Sequence, residues 1–348
     1  MLKIYLYKRE EGTPDSYLLN LFTSVEEEAG LLFQKVPTAP FKRMVQFVTT
    51  QQGADYMMIP HSYFSIKDPS GTYLKEAGLF AQQHRLKTII FAYGDTHDDI
   101  LFDNATILRT AKYRSRLVKD EFIIAPFVED LGERYGVEPI SKAALPTVGF
   151  AGMTHLPTTT AEMKYRLRLL RSFLNELFGK REQYERQGLY FRRKILSVLS
   201  KTNAINLRVQ KRKSYSASKS TIQGDPKVLR QQFIDSIKNS HLPLVVRGDG
   251  NFSLRFFEVL SLGRVPLFVD TDTPLPFEDE INYDAFILRV DYNDIEKIPE
   301  IVNDFWERTS EEKFVEMQQK ARQAFEHYLR ADAFYKTLFS HLASGKKN

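Results

Sequence analysis

The chain alternates short apolar runs with amphipathic stretches. In the first third the runs are KIYLY (3–7), DYMMIP (55–60), KTIIFAY (87–93), ATILRTA (105–111) and EFIIAPF (121–127), each reading as a strand. TYLKEAGLFAQQHRL (72–86) has the spacing of a helix, and SVEEEAGLLFQ (24–34) and PFKRMVQFVTTQQ (40–52) fill the earlier intervals. Strands separated by helical crossovers predict a mostly parallel sheet covered by helices on both faces.

Near residues 140–146 the pattern restarts. PTVGFAG (146–152) reads as a strand ending in glycine, followed by a long helix over 160–178. A second helix, YFRRKILSVLS (190–200), leads to the strand AINLRV and the polar patch QKRKSYSASKS (210–220). From Asp225 the order is helix, strand LPLVV, turn, helix, strand VPLFVD, loop, strand AFILRV, helix. The last stretch, 311–343, is helical and long enough to reach back across the first half. The reading is an α/β protein of two Rossmann-like, doubly wound domains facing a cleft: 1–143, 144–324, and a C-terminal helix over 325–348 packing on the first. Open sheets of this kind bind ligands beyond the carboxyl ends of their strands.

Composition narrows the chemistry. The 348 residues contain no Cys, which excludes disulfides, thiolate metal sites and a cysteine nucleophile. MLKIYLYKRE is too short and too soon charged for a signal peptide, and no apolar run approaches the roughly 20 residues that cross a bilayer. The expectation is a cytoplasmic protein, or one peripheral to a membrane. The net charge of +5 is unevenly spread: residues 161–219 carry 16 Lys/Arg against 4 Asp/Glu. Such a face suits an anionic partner, whether an anionic membrane surface, a nucleotide or a charged glycan, or simply meets water. No nucleic-acid-binding motif accompanies it.

The densest chemistry lies in VVRGDGNFSLRFFEVLSLGRVPLFVDTD (245–272). Val245 and Val246 end a strand, Gly248 and Gly250 permit a tight turn, and Asn251 can cap the next helix. A helix N-terminus offers free N–H groups and a positive dipole to an anion. Arg255 in the first turn can fork onto phosphate oxygens, and Glu258, one turn on, can accept from two ribose hydroxyls. The same pair can equally be an i,i+3 ion pair. At the far end Asp270 and Asp272 match the acidic pair that holds Mn or Mg in some transferases, though such a triplet also begins turns.

The run RGDGNFSLRFFEVLSLGRVPLFVDTDTPLPFEDEINYDAF (247–286) resembles the signature of exostosin-type glycosyltransferases: a glycine turn, Ser-x-Arg-x-x-Glu, Gly-Arg-x-Pro, then Leu-Pro-Phe before an acidic, aromatic stretch. GADYMMIP and TVGFAG echo the family more weakly. The resemblance implies a GT-B architecture and an inverting transferase that uses a nucleotide-sugar donor, with UDP the expected nucleotide and a hexosyl or glycuronosyl group transferred. A glycan or lipid-linked molecule would be the acceptor. It places Gly248, Gly250, Asn251 and Ser253 around the diphosphate, Arg255 on the leaving nucleotide and Glu258 on the ribose, with Arg247 and Arg208 as lesser phosphate contacts. It also implies no metal cofactor, leaving Mn or Mg at Asp270 and Asp272 as the alternative.

Inversion needs a base to deprotonate the acceptor. The loop GDTHDD (94–99) offers Asp95 and His97, with His61 in reserve and His155 as a donor-side or structural residue. That loop departs from the usual family spelling. Eukaryotic relatives usually carry an N-terminal membrane anchor, and its absence before this sequence favours a bacterial or viral cytoplasmic enzyme of polysaccharide synthesis. Two other readings fit parts of the sequence: a catalytically inactive donor-binding or scaffolding subunit, and a polyanion-binding protein using residues 161–219.

Overall fold

The computed structural model describes residues 1–31, 34–66, 71–178, 188–214 and 222–345. Parts of the basic stretch, 179–187 and 215–219, and most of the polar patch therefore lie outside the described residues. The chain divides into two compact units: residues 1–129, 273–280 and 326–348 form the first, and residues 130–272 and 281–325 the second. The first crossing falls at residue 129, not near 143. The segment 273–280 and the C-terminal residues from 326 group with the first unit.

Unit 1 opens with β1 (Leu2–Leu6) and α1 (Tyr17–Thr23), capped by the Ser16 hydroxyl accepting from Leu19 N–H. The SVEEEAGLLFQ segment forms part of an antiparallel hairpin, β2 (Glu28–Leu31) with β3 (Gln34–Pro37). The crossover elements continue as β4 (Val45–Val48), β5 (Tyr56–Ser62), α2 (Thr72–Gln83), β6 (Lys87–Ala92), β7 (Ala105–Arg109) and β8 (Glu121–Ile123). The strands join in the order β4-β1-β5-β6-β7-β8, with every neighbouring pair parallel. Burial on both faces explains why these strands read as unbroken apolar runs. One face packs Met57, Ile59, Ile90 and Ile107 against Leu74, Ala77 and Ala81 of α2.

Unit 2 begins with α3 (Leu131–Tyr135) and β9 (Thr147–Met153), then α4 (Thr159–Leu177), α5 (Gly188–Leu199) and β10 (Asn206–Arg212). It continues with α6 (Pro226–Lys238), β11 (Leu242–Val245), α7 (Leu254–Ser261), β12 (Leu267–Asp270), β13 (Leu288–Asp291), α8 (Ile298–Arg308) and α9 (Glu311–Ala324). The parallel sheet runs β10-β9-β11-β12-β13. Counted along the chain that is 2-1-3-4-5, so the order reverses between β9 and β11. Its core joins Val148, Leu244, Leu267 and Val290 with Ile195, Leu199, Val302 and Trp306.

After α9 a single π turn, Phe325–Leu329, redirects the chain into α10 (Ala331–Ser344), the part assigned to unit 1. There Phe334, Tyr335 and Phe339 are buried, with Tyr335 stacked on Phe127 at 5.6 Å and Phe339 against Phe22 at 5.7 Å. Burial drives the Tyr335 phenol well above its ordinary pKa. Among the described residues no helix is long and apolar enough to cross a membrane.

Candidate functional site

In a doubly wound sheet the crevice for a ligand opens where the strand order reverses, beyond the carboxyl ends of the two strands. In unit 2 those are β9 and β11, and one side chain spans them. Arg255, in the first turn of α7, donates to Ala151 O at the end of β9 and, at 3.4 Å, to Leu244 O of β11. Its guanidinium lies 4.2 Å from the centroid of the Phe150 ring and 5.2 Å from that of Phe233. Gly152 makes room: a Cβ there would stand 3.0 Å from Arg255 Nη2. That is a physical reason for a strand that ends in glycine.

No carboxylate among the described residues forms an ion pair with Arg255. Removal from water and the charge of Arg192 push it down to about 9, with Arg212 adding to the shift and Glu258 opposing it. It remains a cation at neutral pH. Arg212, at the carboxyl end of β10, gives one bond to Leu229 O at 2.7 Å, while its buried Nε has no hydrogen-bond partner. Burial lowers its pKa as well. Arg192 of α5 donates to Met153 O and Arg247 O. The cluster is thus held largely by backbone carbonyls, which orient guanidinium groups without neutralising them. Partly desolvated cations in that state favour an anionic ligand.

The turn beside them has its own supports. Ser253 occupies the N-cap of α7 but makes no side-chain capping bond, so the first N–H groups of the helix keep their capacity for an anion. Asn251 does not cap, contrary to the sequence reading. It is fully buried, donates to Asp272 O at 3.0 Å and accepts from the Thr271 hydroxyl at 2.7 Å, tying this loop to the one after β12. Gly248 has open space where a Cβ would project, its nearest neighbour being Phe252 O at 4.0 Å. The close approach falls instead on Gly188, where a Cβ would sit 2.1 Å from Arg247 O; its N–H donates to Gly248 O at 2.9 Å. Gly250 is buried in the turn, and Arg247 is buried and folded onto Asp249 O at 2.7 Å.

Glu258 is buried and pairs with Arg230 Nη1 at 2.5 Å, rather than with Arg255 three residues away. Arg208 is not brought to the cluster. It lies exposed opposite Gly149, near the start of β10, where its charge bears on His241 at the amino-terminal side of the sheet. Arg212 is on the same strand face about 13 Å further along. Asp270 receives Arg289 Nη1 at 2.7 Å, and Asp272 takes a left-handed backbone, φ +62°, with its carbonyl engaged by Asn251. No group of three or more potential ligands arranged for a metal occurs among the described residues. His155 is exposed, its Nδ1 2.9 Å from the Thr154 hydroxyl.

In unit 1 the loop after β6 is fixed from beneath. Arg109, fully buried, donates to Glu121 at 2.7 Å, to Thr96 O and Asp98 O in the loop, and to Ala111 O. Buried Lys112 reaches Asp99 at 2.5 Å and lies 3.6 Å from Glu121. The hydrogen bond from Lys112, and then its charge, hold the Asp99 carboxyl below its usual range. On this base Asp95 is exposed and His97 sets its ring edgewise to Tyr113 at 4.9 Å. His61 is occupied: Nε2 accepts from Glu10 N–H at 2.7 Å, so the proton is on Nδ1, 2.9 Å from Pro14 O. With both nitrogens bound and the side chain fully buried on β5, it is a structural histidine.

The arginines 192, 212 and 230 and the Arg109–Glu121–Lys112 group escape a sequence reading. The doubled arginine in YFRRKIL was a visible sign, but helix orientation decided which of the two turns inward.

Three comparisons bear on this geometry. The sequence model of the Exostosin GT47 domain matches residues 114–305, more than half of the chain. The Exostosin-1 homolog of Caenorhabditis elegans is 31% identical over 102 residues, which is 29% of this chain and 26% of that protein, so the match spans about a quarter of the relative. Among solved structures, HepE (Alr3699) of Anabaena, crystallised with UDP, aligns over 99% of this chain and 100% of its own with 10% identity and a TM-score of 0.41. TarM aligns over 82% of this chain and 54% of its own, with 11% identity and a TM-score of 0.39.

Proposed function

This chain belongs to the exostosin GT47 family of glycosyltransferases, and from that premise we propose that it is an inverting transferase whose donor is a nucleoside diphosphate sugar, with UDP the first nucleotide to test. The observation that carries the reading is Arg255, a desolvated cation without a carboxylate partner among the described residues, at the strand-order reversal and in the first turn of α7. A diphosphate set against that helix start meets open N–H groups, the helix dipole and a guanidinium already aimed by carbonyls.

In the proposed step the acceptor hydroxyl gives its proton to a base, and its oxygen bonds to the anomeric carbon. The bond from that carbon to the phosphate oxygen breaks, and its electron pair stays on the diphosphate. Arg255 stabilises the charge that develops there, with Arg212 and the α7 N–H groups. Asp95 or His97 takes the proton, each being carried on the loop that Arg109 secures. Glu258 retains one carboxylate oxygen beyond its bond to Arg230 for a ribose hydroxyl. The acceptor is a glycan or a lipid-linked hydroxyl. The step as written uses no metal, since Asp270 is engaged by Arg289 and Asp272 serves the loop through its backbone.

The test is a thermal-shift panel of UDP, GDP, ADP, CMP and their sugar nucleotides, with manganese and with EDTA, using Arg255→Ala as control. A shift for one nucleotide that persists in EDTA and disappears in the variant is expected. A shift only with manganese would return the site to Asp270 and Asp272. No shift with any nucleotide would overturn the donor assignment, and nucleotide binding without sugar transfer would leave a donor-binding subunit.

A further inference from the structure

Helix α4 is amphipathic in the opposite sense from an ordinary surface helix. Its inward side is set by buried Tyr165 and Ser172 and clamped by Arg193, which pairs with Glu162 and lies 5.2 Å from the centroid of the Tyr165 ring. Its outward side carries Met163, Leu167, Leu170, Leu174 and Leu177, followed by Phe178, each between 46 and 82% exposed. At about 100° per residue these six form one stripe roughly 100° wide along the helix. Monomeric soluble proteins seldom show so continuous an apolar surface without a use for it.

The borders of the stripe identify the occupant. Arg166 flanks one edge and Lys164, Arg168 and Arg171 follow the other; all four are exposed, and none meets a carboxylate within ion-pair distance among the described residues. Glu162 is turned away and held by Arg193, whose hydrogen bonds, with that of Leu156 N–H, keep its carboxyl down to about 2. An apolar band between two rows of cations, with long aliphatic stems able to lie along it, is the pattern of a helix resting in the plane of an anionic lipid surface. We infer that α4 is a membrane-docking helix, its leucine stripe entering the acyl boundary and its arginines meeting lipid phosphates. The contact is peripheral, because no described helix is long and apolar enough to span. This inference does not rest on the proposed transferase activity.

The whole protein is floated with vesicles of phosphatidylcholine alone and of phosphatidylcholine with about 30% phosphatidylglycerol. Wild type is expected to rise with the anionic vesicles and not with the neutral ones, and to detach as salt is raised. Leu167→Glu with Leu174→Glu should cut the bound fraction about tenfold. Arg166→Gln with Arg171→Gln should weaken binding several-fold and flatten its salt dependence. Because these side chains are exposed, the melting temperature and the nucleotide-induced shift are expected to stay as in wild type, which separates failure here from failure of the donor site. Wild type that does not float, or double variants that float as well as wild type, would overturn the inference. So would self-association by light scattering that vanishes in the leucine variant without any vesicle binding, which would make a second copy the occupant.

Discussion

The loops after β6 and β11 both leave the carboxyl end of a parallel strand, and each has an arginine beside it. In unit 1 Arg109 finds a carboxylate, Glu121, as well as loop carbonyls, and Lys112 reaches the same Glu121 and the exposed Asp99, so that two cations meet two carboxylates. In unit 2 Arg255 finds carbonyls and aromatic faces but no carboxylate among the described residues. The first arrangement is finished by the polypeptide itself and fixes a backbone. The second leaves charge for something that arrives from solution. Compensation, rather than burial or residue type, separates a supporting arginine from a binding one.

The sharpest test exchanges their roles. Arg109→Met takes the nearer cation from buried Glu121, leaving Lys112 at 3.6 Å, and releases the Thr96 and Asp98 carbonyls; it should cost ~3–5 kcal/mol, seen as a large drop in the melting transition, with nucleotide binding retained in whatever folds. Arg255→Ala should do the reverse: little change in melting, and about 10- to 100-fold weaker nucleotide binding, the ~1.5–3 kcal/mol of a charge-assisted bond. Equal stability losses for the two would erase the distinction. Asn251→Ala removes the bonds to Asp272 O and to the Thr271 hydroxyl, so ~1–3 kcal/mol of stability should go, with weaker nucleotide affinity, by denaturant titration and calorimetry. The smallest effect concerns protons. His241 accepts from Thr147 N–H and lies 3.0 Å from Ser141 O, and burial lowers its pKa from the usual 6.5. Its neutral form therefore stabilises the fold fully above about 6.5, and that stability declines as pH falls through the folded value. His241→Gln should remove this part of the pH dependence of melting.

Much of the sheet architecture was legible because strands buried on two faces must be apolar throughout, as in ATILRTA and LPLVV. Short polar elements were not. SVEEEAGLLFQ carries no turn signal strong enough to announce a hairpin, and α1 was marked only by Ser16 ahead of YLLNLF. At the site, the turn before α7 and Arg255 could be read from spacing. The choice between Arg208 and Arg212 could not, because both project from the same face of one strand and differ only in height along it. Gly188 likewise matters through a neighbour sixty residues away, a contact that no local pattern records.

Unit 1 is assembled from three stretches of chain, and this has a consequence for synthesis. When residues 1–129 have emerged, Phe22, Phe41 and Phe127 still lack Tyr335 and Phe339, the rings that pack on them. Those rings arrive only after the whole of unit 2, roughly 10–40 s later at ordinary elongation rates. In that interval unit 2 can close while the first-made half waits with an aromatic face uncovered. Of the two units, the one begun earlier is thus the later completed, and nascent chains arrested before α10 are where aggregation and chaperone demand should concentrate.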